Sequence, residues 1–181
     1  MANKQHKDLT GSDIHILPGA QLRTLASTTA AAGVMPSVNS PLNSGCRVRL
    51  SAVQVIAAGS YQKITFDTED WDTLGEFDST TNYRFVASQS GKYMMTAQLY
   101  TASTTNLHWY ACRNGSPTTG TATFGGQRPI GNSGALSLPS SDIVNVTTGD
   151  YFELWAESDT TGSTLTATTY QTYWAIQRLT D

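Results

Sequence analysis

Between Tyr83 and Tyr100 apolar and polar positions alternate in two runs, separated by a polar stretch that contains Gly91. Tyr83, Phe85 and Ala87 alternate with Arg84 and Val86, and beyond the glycine Tyr93, Met95, Ala97 and Leu99 alternate with Lys92, Met94, Thr96 and Gln98. A period of two sends successive side chains to opposite faces, so the stretch predicts two half-buried strands joined by a turn. The pattern recurs along the chain. Val48, Leu50 and Ala52 alternate with Arg47, Arg49 and Ser51 in an opening strand from Cys46 to Ile56, and Gln62 to Phe66 forms a second after a turn at 57–60. Leu107, Trp109 and Ala111 face away from His108, Tyr110 and Cys112, and Asn114-Gly115 ends that strand in a favoured turn dipeptide. Phe152, Leu154 and Ala156 oppose Tyr151, Glu153, Trp155 and Glu157 after the turn at Gly149-Asp150, and a last strand from Thr164 to Leu179 sets Tyr170, Thr172, Trp174 and Ile176 against Tyr173 and Ala175.

Between these runs the alternation lapses. Asp67, Glu69, Asp70 and Asp72 crowd into a short stretch that reads as a solvated acidic loop. Ser116 to Asn132 is rich in Gly and Thr and reads as a long exposed loop with an irregular strand around 122–124, so Phe124 and Arg128 become candidate receptor contacts. Ser133 to Val146 predicts a strand pair. Residues 1–45 carry no periodic apolar face, which makes them an extended anchoring arm and linker ahead of one folded domain, 46–181. Such a segment does not offset its own ordering entropy, so it orders against a partner or its sister chains.

About nine or ten short strands and hardly any helix predict an all-β, antiparallel sandwich of the jelly-roll kind. Aromatic residues on both faces of several strands need two burial partners, and a symmetric trimer supplies the second. Tyr83, Phe85, Tyr93, Trp109, Phe152 and Trp174 are the aromatic candidates for core and trimer contact.

Composition narrows the functional classes. Charged residues make up 14% of the 181, with a net charge of -3 and no Lys/Arg cluster, so the chain lacks the basic footprint of a nucleic-acid binder. No apolar run is long enough to cross a membrane or act as a secretory signal, which points to synthesis in a cytosol. Cys46 and Cys112 fit no metal spacing and read as free buried thiols. Of the histidines only His108 lies in the domain, with no nucleophile elbow beside it, and no pair of acids is singled out by spacing. No enzymatic activity and no cofactor are expected.

The order of signals, Phe66-Asp67, then Phe77-Asp78, the aromatic strand from Tyr83, Gly91-Lys92-Tyr93, Gly149-Asp150 and a closing aromatic strand, resembles the C1q/TNF-like family over residues 46 to 179. The resemblance implies a ten-stranded jelly roll assembled as a homotrimer. Tyr173-Trp174-Ala175-Ile176 stands where the family commonly has an F-x-G-F-like strand. Some members bind calcium near the trimer axis, which brings the acidic stretch 67–72 into view as a calcium ligand set, although it lacks the glycine and terminal glutamate spacing of an EF-hand loop.

A second resemblance lies in the arm. His6, Lys7, Asp8, Leu9, Thr10, Gly11, Asp13, His15 and Gly19 match a motif of the form HKDLTGxDLHxPxG found near the N-termini of tailed-bacteriophage virion proteins, with Ile16-Leu17-Pro18 replacing its usual ending. It implies attachment to other virion proteins of the capsid or tail. The expected function is a virion structural protein, a trimeric head decoration or fibre made in the host cytoplasm; the alternative is a tail-fibre or receptor-binding adhesin engaging a host-surface glycan or protein.

Overall fold

The computed structural model describes residues 44–101, 106–127, 135–158, 163–168 and 170–180, with the backbone alone at 127 and 180. These residues form strands and no helix: β1 (Gly45–Arg49), β2 (Gln54–Ile56), β3 (Gln62–Lys63), β4 (Thr68–Asp72), β5 (Phe77–Asp78), β6 (Arg84–Val86), β7 (Gly91–Thr101), β8 (Leu107–Arg113), β9 (Thr121–Gln127), β10 (Leu136–Val146), β11 (Tyr151–Ser158), β12 (Ser163–Leu165) and β13 (Tyr173–Thr180). All the strand pairs are antiparallel. In the first sheet β7 lies between β10 and β13, β13 pairs β1, β1 pairs β4, and β12 joins β7 to β2. In the second sheet β11 lies between β8 and the short strands β6 and β3, with β9 outside β8 and β5 outside β6.

Alternation along these strands puts one face of each sheet inside. Val48, Tyr93, Met95, Ala97, Leu99, Trp174 and Ile176 come from the first sheet, and Phe85, Trp109, Ala111, Phe152, Leu154 and Ala156 from the second, all fully buried. Large rings fill the space between. Phe77 meets the Trp174 ring edge-on at 6.2 Å, and Phe85 meets Tyr93 at 5.9 Å. Trp109 ties the layers together, because its indole Nε1 donates across to the Leu138 carbonyl at 3.1 Å. Both cysteines are buried and unbridged, and burial pushes the Cys112 thiol up to about 11.

Register fixes the two ends of the sandwich. Gly45 pairs with Gln177 and Gln177 with Met94, close to where β7 starts, so the chain enters beside Gly91 and Val146. At the other end Thr101 pairs with Leu136 and with Leu165, Leu107 with Ser158, and His108 with Gln127.

Several elements differ from the expected ones. The acidic stretch is a strand, β4, because Asp70 forms ion pairs with both Arg47 and Arg49 of the neighbouring β1. The opening strand stops at Arg49 and resumes as β2, since Asp67 captures the Ser51 amide at 2.7 Å and its hydroxyl at 2.5 Å and bends the chain there. The Gly/Thr-rich stretch contains a seven-residue strand, β9, paired with β8. Residues 136–146 form one long edge strand, β10, rather than a pair, and the edge position accommodates Pro139, which has no N–H to give to a second neighbour. The closing strand is broken into β12 and β13, because Gln98 Nε2 holds the carbonyls of Tyr170 and Gln171 out of the ladder at 3.0 and 3.2 Å. Tyr170, expected on the same face as Trp174, is 71% exposed.

Candidate functional site

The entry point is a built junction. Ser44 immediately precedes β1 and is fully buried. Its hydroxyl donates to the Glu76 carboxylate at 2.7 and 3.0 Å and lies 2.8 Å from the Tyr93 hydroxyl, while its carbonyl accepts the Arg178 amide at 3.0 Å. Glu76, just ahead of β5 and only 6% exposed, also accepts the amide and hydroxyl of Ser88 at 2.8 and 2.5 Å. The Tyr93 hydroxyl donates to the Gln89 carbonyl at 2.9 Å, and burial raises its pKa despite the Ser44 contact. A buried carboxylate is tolerated when its oxygens are this fully hydrogen-bonded. The junction therefore joins residues from β1, β5, β7 and β13.

The middle of the outer face of the first sheet, between Lys92 at one end and the β1–β4 margin, carries uncharged residues. Ile143, Met94 and Gln177 stand side by side in one row; Ser141, Thr96, Ala175 and Arg47 form the next. Met94 is 45% and Ile143 58% exposed, beside a depression of about 350 Å³ that Ser141 and Asp142 also line. Charge appears at the β1–β4 margin, where Arg47 and Arg49 engage Asp70 and the Arg47 guanidinium lies 4.6 Å over the Tyr173 ring.

The outer face of the second sheet is aromatic instead. Gly125, Tyr110 and Trp155 face one another across β9, β8 and β11, with His108 opposite Glu157 in the next row. Tyr61 stands edge-on to Tyr110 at 6.0 Å. Lys63 is bound to Glu153 at 2.6 Å and lies 5.4 Å over the Trp155 ring.

No family model matches the chain, and no curated protein does. Solved structures do. The chain is similar to Eiger TNF from S. frugiperda, at 10% identity with a TM-score of 0.62 over 78% of this chain and 94% of that one. It is similar to murine APRIL, at 13% identity and TM-score 0.57 over 75% and 99%, and to the globular domain of zebrafish complement 1qA, at 11% and 0.58 over 76% and 97%.

The domain has a C1q/TNF-like fold.

Within this C1q/TNF-like domain, Phe85, Tyr93, Trp109, Phe152 and Trp174 all lie between the sheets, so none offers its ring to another subunit. Tyr83 differs from them. It precedes β6, half-buried and in the left-handed region at φ 49°, where the turn capped by Asp78 delivers it, rather than continuing the alternation of Phe85. Phe124, a candidate receptor contact in the expected exposed loop, is on β9 with its ring edge-on to Trp109 at 5.7 Å, so it closes the margin of the core. Arg128 and the arm residues His6, Lys7, Asp8, Leu9, Thr10, Gly11, Asp13, His15 and Gly19 lie outside the described residues. The carboxylates of 67–72 are dispersed: Asp67 on Ser51, Glu69 on Ser79, Asp70 on the two arginines, Asp72 on the amides of Leu74 and Phe77. Among the described residues no three His, Cys, Asp or Glu side chains gather as a metal site.

Sequence reasoning passed over Ser44, Glu76 and Ser88. The available signal was Glu76 itself, an acid one position before Phe77 where a strand begins. It also passed over the cluster of Tyr61, Tyr110 and Trp155, because these residues come from segments distant in sequence.

Proposed function

We propose that the chain is a structural protein of a tailed-bacteriophage virion: a homotrimeric C1q/TNF-like head, displayed as a decoration or short fibre and held to other capsid or tail proteins by residues 1–45. The observation that carries the display reading is Ser44. It is fully buried and clamped by Glu76, Tyr93 and Arg178 at one end of the sandwich, so tension on the arm passes straight into the β1–β13 ladder. The trimer is supported by the outer face of the first sheet, where Met94 and Ile143 stand exposed side by side next to Ser141, Thr96 and Ala175. Both are already about half covered, so burying what remains of each would contribute roughly 1 kcal/mol. The virion assignment is supported by the match of residues 6–19 to the phage arm motif, and it makes the host cytoplasm the site of synthesis and the particle the final location.

A second reading, adhesion to a host-surface glycan or protein, is favoured by the aromatic cluster of Tyr61, Tyr110 and Trp155, which stays outside a trimer closed through the first sheet. The test of the main reading compares the full chain with a chain lacking residues 1–42, by solution mass and by rebinding to particles stripped of the protein. Trimers from both, with rebinding by the full chain alone, are the expected result. Rebinding by the shortened chain, or its appearance as a monomer, would refute the division into anchor and head.

A further inference from the structure

On the second sheet the outer surface is interrupted beside Tyr110. Gly125 of β9 presents no side chain there, Gly126 presents none toward the Trp109 indole beneath, and His108, Trp109, Tyr110 and the two glycines line a trough of about 260 Å³. The trough is rigid for a packing reason. A Cβ on Gly126 would overlap the Trp109 indole, and one on Gly125 the Trp109 carbonyl, so β9 lies as close to β8 as backbone allows. Along one side Tyr61 stands edge-on to Tyr110; in the next row Glu157 is opposite His108, and its carboxylate lies next to the Tyr61 hydroxyl.

We propose that this trough binds a neutral saccharide, with one sugar ring lying against Tyr110 over Gly125 and Gly126 and its hydroxyls hydrogen-bonded by Glu157 and His108. A pyranose has a C–H face and a rim of hydroxyls, and this site offers the complement of both. Aromatic faces attract polarised C–H groups, while a carboxylate and an imidazole take hydroxyl donors and acceptors. An apolar peptide side chain would desolvate Glu157 and His108 without returning a hydrogen bond. An anionic group would face Glu157 and, among the described residues, would find no free cation beside it, since Lys63 is committed to Glu153 at 2.6 Å. The size suits one ring rather than a flat protein epitope.

The inference extends the adhesive reading and needs neither arm nor trimer, so a failed particle-rebinding experiment leaves it standing, and its own failure leaves the display role standing. The test is saturation-transfer NMR on the full chain with methyl α-glucoside, methyl β-galactoside and N-acetylglucosamine, with N-acetylneuraminic acid and a leucine dipeptide as competing chemistries. Transfer to the ring protons of at least one neutral sugar is expected, weakened about tenfold or more, or ~1.4 kcal/mol, in both Tyr110→Ala and Glu157→Gln. Glu157→Gln changes a partly exposed surface group and keeps the test decisive if Tyr110→Ala fails to fold. No transfer from any neutral sugar, transfer undiminished from that of the parent in either variant, or preferential transfer to the sialic acid or the dipeptide would overturn the proposal.

Discussion

Removing the Glu76 side chain tests the junction most directly. In Glu76→Ala the hydroxyl of Ser44 loses a carboxylate acceptor at 2.7 Å, and the Ser88 amide loses one at 2.8 Å. Ser88 is exposed, so its freed groups turn to water at little cost; Ser44 is fully buried and has only the Tyr93 hydroxyl, 2.8 Å away, to turn to. One lost charge-assisted bond at about 1.5–3 kcal/mol plus roughly 1 kcal/mol of lost packing gives a destabilisation of about 3 kcal/mol. Glu76→Gln should cost far less. Its oxygen still accepts the Ser88 amide, and its amide nitrogen donates to Ser44 Oγ, which then donates to Tyr93, whose own proton already goes to the Gln89 carbonyl. The chain of bonds reverses instead of breaking, at a cost of about 1 kcal/mol. Urea unfolding at one fixed protein concentration, followed by the fluorescence of buried Trp109 and Trp174, measures both variants from midpoint shifts at unchanged slope. Glu76→Ala within ~0.5 kcal/mol of the parent, or Glu76→Gln as costly as alanine, would show that the hydrogen-bond argument is wrong.

Three further outcomes follow from the same geometry. Paired substitutions Met94→Glu and Ile143→Glu should convert a trimer to folded monomers, seen as a threefold fall in mass by light scattering with an unchanged circular dichroism spectrum; a persistent trimer places the interface elsewhere. Asp78 is held well below the usual carboxylate range by the Thr81 amide, the Asn82 side chain and the Thr80 amide. A depressed folded pKa contributes stability that is complete above the unfolded value of about 3.9 and disappears as pH falls through the folded value, so the acid limb of a stability–pH curve should flatten in Asp78→Asn. Gly126→Ala must push the Trp109 indole off the Leu138 carbonyl, so about 2–4 kcal/mol of stability should be lost, with a changed tryptophan emission, and a wild-type melting curve would contradict the close approach.

The strands that the sequence made legible are those whose two faces differ in polarity. β7 alternates Tyr93, Met95, Ala97 and Leu99, all buried, with polar or exposed neighbours, and β11 does the same with Phe152, Leu154 and Ala156. β4 was hidden because it lies at a sheet margin and carries acids on both faces, its strand character depending on arginines of β1 some twenty residues away. β9 was only partly legible, as an irregular strand around 122–124: Gly125 and Gly126 weaken any strand propensity beyond it, and only the approach of Trp109, invisible in a linear pattern, explains them. The candidate sites share that difficulty. Ser44, Glu76 and Tyr93, or Tyr61, Tyr110 and Trp155, come together only through register, and nothing in their spacing along the chain announces it.

Pro139 has a consequence for crowding. It sits mid-strand in β10, which among the described residues pairs only with β7, so its other side is a sheet edge of the kind onto which a neighbouring molecule adds a strand, though the Leu138 carbonyl beside it already accepts the Trp109 indole. With no N–H to donate, it breaks any continuous foreign ladder into short halves, and Asp142 three residues on sets a like charge against an identical edge. At high protein concentration, copies of the domain can therefore touch without zippering into aggregates.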